Sequence, residues 1–363
     1  MKTSKWFKSF AAPVSLAAAC ALAVPAQAAE EINVTFVTGY APSFSWTKAF
    51  LEKFIPEVDS KLAETGNHKI NWNLAHSGTV VKPRGELEGI QTGLGQIGIV
   101  VTAFHADRVP LYNISFVTPF SSTDIKFLQS TYHKMQGQFA DEFNKDWSRL
   151  GQVALMDAAT GPMDTYWVLS RQPLQSIDQL KGMKISAAGP NLPWVTSMGA
   201  AGINSAATDW FQQLNTGLAD AVLSWPDVTG SQKLCEPAKH VLHGNIGGIV
   251  GHIITVNERF YKGLPEEVRN AFDMAAPLYA EYQADVVLSG TKKQTEFCTK
   301  DEGMDIVVLD DTQRAAWAKA LPPLGLNWAK DLDSKGRPGT ELISFYMDEI
   351  RAGGSPARDW DKE

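Results

Sequence analysis

The side chains of this chain that are best suited to ligand chemistry are aromatic rings at positions where a strand is predicted to end or a helix to begin. They are Tyr40, Phe44, Trp46, Tyr166, Trp167, Trp194, Trp210 and Trp225. Core packing accounts for any one of them singly, but open α/β sheets bind ligands at such strand ends. Trp225 is the most suggestive, because Pro226 interrupts the chain directly after it and Asp227 adds a polar group.

The sequence signatures of catalysis and cofactor binding lack the context that they need. Gly93, Gly95 and Gly98 fit G-x-G-x-x-G, but they close a predicted helix and lead into a strand, which is the reverse of the order in dinucleotide sites. His240 and His243 have no third ligand close in sequence to complete a metal site. The chain contains no nucleophile-elbow or phosphate-loop signature. We therefore predict no metal, no cofactor and no enzyme activity.

The first 28 residues are typical of a secretory signal peptide. Three lysines precede an apolar run, and the small residues Ala26 and Ala28 form a cleavage signature. The run is too short and too interrupted for a membrane anchor, and the residues before Cys20 fit a lipoprotein site poorly. We expect cleavage after Ala28 and a periplasmic protein. Loss of the three lysines takes the net charge from −7 to near −10, which argues against nucleic acid as a partner.

The remaining chain is long enough for two domains. Its opening βαβαβ pattern is typical of a parallel sheet, and because no linker separates its halves, we expect strands that cross between the domains as a hinge. Cys235 and Cys298 form either a disulfide, which export permits, or two free thiols. The predicted strands are 32–40, 68–76, 96–104, 152–158, 164–171, 183–189, one after Gly217, one that begins at Gly248, and 304–309. The predicted helices include one from Ser45, 84–95, a single long helix at 123–151, 176–182, 192–202, 207–217, a very long helix within 264–300 and helices from Thr312.

Segments in several parts of the chain resemble the substrate-binding proteins of TRAP transporters, which belong to the DctP-like family. Residues 174–185 (LQSIDQLKGMKI) and 208–226 (TDWFQQLNTGLADAVLSWP) carry most of the likeness. Residues 85–103 (GELEGIQTGLGQIGIVVTA) and 254–272 (ITVNERFYKGLPEEVRNAF) extend it upstream and downstream. Each motif is weak alone, but together and in this order they are fairly specific.

The resemblance implies an α/β fold of the two-domain flytrap type, with hinge-crossing strands and a long helix that braces both domains. After the signal peptide (1–28), it places domain I at 29–163 plus 251–290 and domain II at 164–250 plus 291–363. It also implies capture of a small molecule by domain closure and delivery to a membrane permease made of a small and a large subunit. We expect a monomer. The alternatives are a ligand-binding protein that feeds a membrane sensor and a periplasmic hydrolase or lyase.

The chain departs from the family pattern at the positions that the resemblance assigns to the ligand. The arginine that clamps a carboxylate in the family falls on Ser186, the family asparagine falls on Ser224 or Trp225, and a pocket phenylalanine falls on Ala207. A buried carboxylate without a cation is costly. Either the ligand is not a carboxylate, or another group has taken over; Lys184, Arg84, Arg108 and Arg171 are available.

The substitutions predict a neutral pocket with aromatic walls and hydroxyl donors. We therefore expect an organic acid, or a similar compound, with an aromatic or apolar body. A cationic ligand is the alternative, because a carboxylate and an aromatic face together can hold a cation. The candidate carboxylates are Asp164, Asp209 and Asp227. The predicted ligand-binding residues are Tyr40, Trp46, Thr102, Tyr166, Lys184, Ser186, Trp210, Ser224, Trp225 and Asp227.

Overall fold

A computed structural model describes residues 29–159 and 165–362, together with Thr3. The predicted signal peptide, with its cleavage after Ala28, involves residues outside that part of the chain, and so does Asp164. Within the described residues, no helix is both long and apolar enough to cross a membrane.

The fold is α/β with two separate sheets. The first sheet has the order β2-β1-β3-β10-β4, in which β1, β2 and β3 are parallel and β10 runs antiparallel to both of its neighbours. The opening parallel pattern is confirmed for three strands, and all five residues of β3 are buried, which suits a strand covered on both faces. The strands are β1 (Glu30–Val37), β2 (His68–Ala75), β3 (Ile97–Val101), β4 (Gln152–Ala154) and β10 (His252–Asn257).

The second sheet has the order β11-β9-β5-β8-β6-β7 and is also mixed. β8, β6 and β7 are parallel, whereas β5 is antiparallel to β8 and β9. Between the described strands the chain passes from one sheet to the other three times, through the connections 155–166, 244–251 and 258–304, and each described strand pairs within one sheet. The strands are β5 (Trp167–Ser170), β6 (Lys184–Ala187), β7 (Ala201–Asn204), β8 (Ala221–Ser224), β9 (His240–His243) and β11 (Asp305–Val308).

Helices cover both sheets, and a π-helical segment, Phe50–Phe54, joins the first two helices. Gly217 ends α8 with a φ of +74°, which glycine adopts without strain. The helices are α1 (Ser45–Ala49), α2 (Ile55–Ala63), α3 (Glu86–Gln91), α4 (Ile114–Val117), α5 (Ile125–Gln138), α6 (Ala140–Arg149), α7 (Leu192–Thr196), α8 (Trp210–Thr216), α9 (Pro226–Ser231), α10 (Glu258–Gly263), α11 (Glu266–Lys300), α12 (Asp311–Ala320), α13 (Leu324–Ser334) and α14 (Gly339–Gly353).

Each sheet, with the helices that pack on it, forms one unit: the first unit contains β1 to β4 and β10, and the second contains β5 to β9 and β11. The helix α11 is 35 residues long and contacts both units, as the sequence predicted. Its first half packs on the first unit, where the ring of Tyr279 lies 6.5 Å from that of Phe54. Its second half packs on α9, where Gln294 lies directly against Gly230. Near its end, Cys298 is bonded to Cys235 in a disulfide, which ties α11 to the second unit.

The C-terminal helices pack differently from the predicted domain bounds. Those bounds placed 291–363 with the second domain, but α13 and α14 pack on helices of the first unit. The Arg337 guanidinium lies 2.9 Å from a carboxylate oxygen of Asp146 in α6, with both side chains largely buried, and Phe345 of α14 contacts Phe139. Helical periodicity shows that a face is buried but does not identify its partner, so this assignment required the structure.

Three local predictions were wrong. The single helix predicted at 123–151 is interrupted at Phe139, whose φ of −116° and ψ of 33° lie outside the helical range. Residues 201–204 were placed in a glycine-rich helix but form the edge strand β7, which pairs with β6. Residues 176–182 contain a 3-10 turn, Ile177–Leu180, rather than an α-helix, and the backbone N–H of Ser176 donates to Oε1 of Gln179 at 3.1 Å.

Candidate ligand-binding site

A narrow cavity of about 30 Å³ lies between the two sheet units. Its walls come from the ends of strands and from the loops that follow them, and most of these side chains are aromatic or aliphatic. Among the described residues, none with a charged side chain lines it. The lining residues are Tyr40, Trp46, Val101, Ala103, Phe104, Phe116, Tyr166, Ala188, Asn191, Ser205, Ala207, Trp210, Trp225 and His252.

Both units contribute to this wall. Tyr40 follows β1, Trp46 lies in α1 and His252 is the first residue of β10, so the first unit supplies these three. Tyr166 directly precedes β5, and Trp225 follows β8 at the start of α9, where Pro226 occupies the first helical turn. The cavity therefore lies where strands of both sheets end, which is the usual place for ligands in α/β folds.

The aromatic rings form a continuous cluster across the two units. The Trp225 ring lies 5.4 Å from Tyr166 and 5.7 Å from Trp210, measured between centroids. Trp46 faces Trp225 from the other unit at 6.5 Å and stacks on His252 at 4.2 Å. Rings that are held against one another in this way form rigid walls for an apolar ligand body.

Several polar atoms of the cavity wall are buried without a partner. The indole Nε1 atoms of Trp46 and Trp225, and both ring nitrogens of His252, make no hydrogen bond to any described residue. Each buried polar group left unpaired costs about 1–3 kcal/mol. Three side chains of the cavity, drawn from both units, therefore have hydrogen-bonding capacity that no described residue uses.

The titratable groups of the wall are neutral near pH 7. Burial lowers the pKa of His252 to about 3, so its imidazole presents one N–H donor and one acceptor. Burial, with the nearby Glu86 carboxyl adding to it, raises the pKa of Tyr40 well above its usual value. Burial also raises the pKa of Tyr166, and its hydrogen bond with Asn191 opposes that rise only in part.

Ser186, where the resemblance implied a clamping arginine, is fully buried and engaged in an internal network. Its hydroxyl donates to Oε1 of Gln213 at 2.7 Å, and Ser205 donates to the same oxygen at 3.1 Å. Ser205 in turn accepts from Nε1 of Trp210 at 3.0 Å. A neutral amide from α8 thus satisfies Ser186, and the four side chains of this network carry no charge.

The structure brings together five of the ten predicted ligand-binding residues: Tyr40, Trp46, Tyr166, Trp210 and Trp225 all line the cavity. Ser186, as described, does not line it. Thr102 donates instead to the carbonyl of Tyr112, and Ser224 accepts from Nε1 of Trp167. Lys184 is exposed and donates to the carbonyl of Gly217. Asp227 is buried beside a separate groove along α11.

Sequence reasoning missed His252, Asn191, Ser205 and Phe104. The histidines had been weighed as metal ligands, and the described residues hold no cluster of three or more potential ligands. His240 and His243 lie at the two ends of β9, and His240 pairs with Asp305. The sequence does carry a signal for His252, because this histidine opens a largely apolar strand. In sequence, however, a ligand-binding histidine at that position cannot be distinguished from one that is packed in the core.

The sequence profile of one family, described as "Bacterial extracellular solute-binding protein, family 7", matches residues 37–331 of the chain. The chain belongs to this family. A family member, the C4-dicarboxylate-binding periplasmic protein DctP of Rhodobacter capsulatus, is 25% identical over 309 residues, which cover 84% of this chain and 88% of that protein. Proteins of the family are periplasmic.

Solved structures of TRAP solute-binding proteins have the same fold. DctP7 of Bordetella pertussis, a receptor that binds pyroglutamic acid, superposes with a TM-score of 0.74 and 19% identity and covers 87% of this chain and 99% of its own. The ectoine-binding protein of the TeaABC transporter of Halomonas elongata reaches a TM-score of 0.74 at 17% identity, over 88% of this chain and all of its own. Both show the fold alone at these identities.

Membership settles the general role of the chain. Family 7 proteins are TRAP-type receptors that bind small molecules and work with membrane permease subunits, and they are not enzymes. The resemblance found in the sequence is therefore confirmed, and the hydrolase or lyase alternative is excluded. The ligand depends on the side chains of this chain's own cavity.

Proposed function

We propose that this family 7 receptor captures a small organic acid with an aromatic or apolar body and delivers it to a TRAP permease. One observation carries the proposal: two indole N–H groups and a neutral imidazole, all unpaired, face one aromatic cavity. Such a wall matches a compact apolar body with a hydrogen-bonding head.

The shape of the cavity favours a ring-bearing ligand. At about 30 Å³ the cavity is narrow, so a ring-bearing ligand requires its two sides to move apart. Trp46, Trp225 and Tyr166 offer ring faces and edges, and aromatic pairs stabilise beyond the area that they bury. Sugar acids and polyols carry more hydroxyl groups than the few polar atoms of this wall can satisfy.

The head group is proposed to be a single carboxylate held by neutral donors. Nε1 of Trp46, Nε1 of Trp225 and one nitrogen of His252 can donate to carboxylate oxygens, and hydrogen bonds to an ionised acceptor are stronger than neutral ones. A second carboxylate would be buried on a wall without a cation, at a cost of several kcal/mol. We therefore expect selectivity against dicarboxylates, in contrast to the C4-dicarboxylate for which the Rhodobacter relative is named.

We propose capture by closure of the two units because residues of both units line the cavity. Trp46 and His252 belong to the first unit and Trp225 to the second, so separating the units divides the set of donors. A ligand that bonds to both sides stabilises the closed arrangement by its differential affinity.

A thermal-shift screen followed by titration calorimetry tests the ligand class. The probes are benzoate, phenylacetate, succinate, a hexuronate, a quaternary amine and a neutral polyol. Ligand at about 100 times its dissociation constant stabilises by about 2.7 kcal/mol, and we expect this for the aryl monocarboxylates. Stabilisation by the amine or the polyol, with none by any monocarboxylate, would reject the proposed class.

We further propose that export removes residues 1–28. The support is the lysine-rich start, the apolar run and the Ala26–Ala28 signature. The mass of the protein purified from a periplasmic extract tests it: cleavage after Ala28 leaves Ala29 as the first residue, and a mass that retains the leader contradicts it.

A further inference from the structure

Phe104 lines both the ligand cavity and a second, outer groove. That groove has a volume of about 490 Å³ and lies between the two units, beside α7 and α13. Three residues line both the cavity and the groove: Ala103, Phe104 and Phe116. The two spaces are therefore neighbours, and the side chains between them form a thin partition.

Phe104 is the most exposed of these three side chains. Ala103 is small and 5% exposed, so its side chain cannot close an opening. Phe116 is 1% exposed, and its carbonyl accepts from Nε1 of Trp194 at 3.0 Å, which ties its backbone to α7 of the second unit. Phe104 is only partly buried and lies in the short 3-10 helix Thr102–His105, directly after β3.

Arg84 holds the Phe104 ring in place. Its guanidinium carbon lies 4.4 Å from the ring centroid, a cation–π distance. Its Nη2 donates to Oδ1 of Asn204 at 3.1 Å, and Asn204 is the last residue of β7, so the contact joins the two units. Arg84 has a φ of +76°, an uncommon conformation for a residue with a side chain, which persists where surrounding contacts determine it.

We infer that Phe104 is a specificity-determining residue: its ring is the end wall of the ligand cavity and sets the length limit of the ligand. Arg84 acts as a positioning residue that keeps this ring in place when the units are together. The inference rests on the proposed function, since it takes the cavity to be the ligand site. Beyond the ring, Val117, Pro193 and Trp328 line an apolar path, so a shorter side chain at 104 admits ligands with a longer apolar tail.

Thiol labelling tests the partition without any ligand. Ala207 lines the cavity and is 8% exposed, and Cys235 and Cys298 are bonded to each other, so Ala207→Cys adds a single reporter thiol to the mature chain. We expect Phe104→Ala in that background to accelerate its reaction with a methanethiosulfonate reagent at least tenfold. Phe104→Tyr is the conservative control and should keep the slow rate. Equal rates for Phe104→Ala and Phe104 would overturn the inference.

Arg84→Gln and Arg84→Lys test the positioning role in the same background. The glutamine variant, which loses the cation over the ring, should label faster, and the lysine variant should restore part of the slow rate. A surface thiol, Ser355→Cys, corrects for reagent reactivity. If Phe104→Ala does not fold, as judged by circular dichroism, Phe104→Leu replaces it. No acceleration in Arg84→Gln would remove Arg84 from the partition.

A series of acids of increasing length tests specificity by calorimetry: benzoate, phenylacetate, 4-phenylbutyrate and 6-phenylhexanoate. The unsubstituted protein should prefer the short acids, and Phe104→Ala should gain at least tenfold for the two long ones. Accelerated labelling without binding of any acid rejects the proposed ligand class but supports the partition. Binding of short acids with no gain for long ones in Phe104→Ala rejects the length limit.

Discussion

The imidazole of His252 stacks on the indole of Trp46, with ring centroids 4.2 Å apart and planes that differ by 26°. His252 lies on β10 and Trp46 in α1, so the first unit presents this ring stack to the cavity. Both rings carry unpaired N–H capacity, and the opposing Trp225 of the second unit carries a third donor.

Replacing His252 with phenylalanine should separate ligand binding from stability. The ring stack on Trp46 survives, but the variant lacks the donor, so we expect affinity for the ligand to fall at least tenfold, or about 1.4 kcal/mol. Because an unpaired buried polar group is removed, the free energy of unfolding should stay equal or rise. Calorimetry and urea denaturation measure the two quantities. Unchanged affinity would exclude His252 from the ligand's contacts.

Replacing Trp225 with alanine should weaken ligand binding at least tenfold, because the ring face and the Nε1 donor are both lost. Trp225→Phe is the matched control: it keeps an aromatic wall and deletes only the donor, so a smaller loss is expected. Tryptophan fluorescence should change on ligand addition, since Trp46, Trp210 and Trp225 line the cavity. Equal binding by Trp225→Ala and the unsubstituted protein would contradict the assignment.

Glu86 should make stability depend on pH just below neutrality. Burial raises its pKa from 4.5 to about 7, although Gly39 donates its N–H to the carboxylate at 2.9 Å. The folded state therefore binds more protons than the unfolded state between these values, and the contribution of Glu86 to stability is lost as the pH rises from 4.5 through 7.

Glu86→Gln tests this pH dependence because it keeps an acceptor for Gly39 without a charge. The difference in melting temperature between variant and unsubstituted protein should shift in favour of the variant as the pH rises from 5 to 8. Burial of His252 has the opposite effect, because its lowered pKa makes stability rise between pH 3 and 6.5. That contribution is common to both proteins and cancels in the difference. A difference in melting temperature that stays constant from pH 5 to 8 would contradict this role of Glu86.

The disulfide between Cys235 and Cys298 should stabilise the fold without affecting the ligand. It closes a loop across a sequence separation of 63 residues, and removing such a bond costs about 2–4 kcal/mol. We expect Cys235→Ser combined with Cys298→Ser to lose that much in urea denaturation, and to bind ligand with unchanged affinity because neither residue lines the cavity. Equal stability of the double variant and the unsubstituted protein would argue against a stabilising role of the disulfide.

The sequence by itself determined the family, the order of most elements and the aromatic character of the site. Local periodicity and turn residues encode strands such as β1 and β3 and the stop of α8 at Gly217, because these depend on neighbours in the chain. The serine at position 186, in place of the arginine that the resemblance implied, already predicted a pocket without that cation. Five of the ten predicted ligand residues line the cavity, because the strand ends and helix starts at which they lie can be recognised in the sequence.

Only the tertiary structure decided which polar groups face the cavity. Trp46 and His252 lie more than 200 positions apart in the chain, and Arg84 contacts both Phe104 of the first unit and Asn204 of the second. Ser186 could be assigned to an internal network only after α8 had placed Gln213 beside it. Long-range packing selects these neighbours, and no local pattern encodes which buried side chain will be left with a free hydrogen-bonding atom.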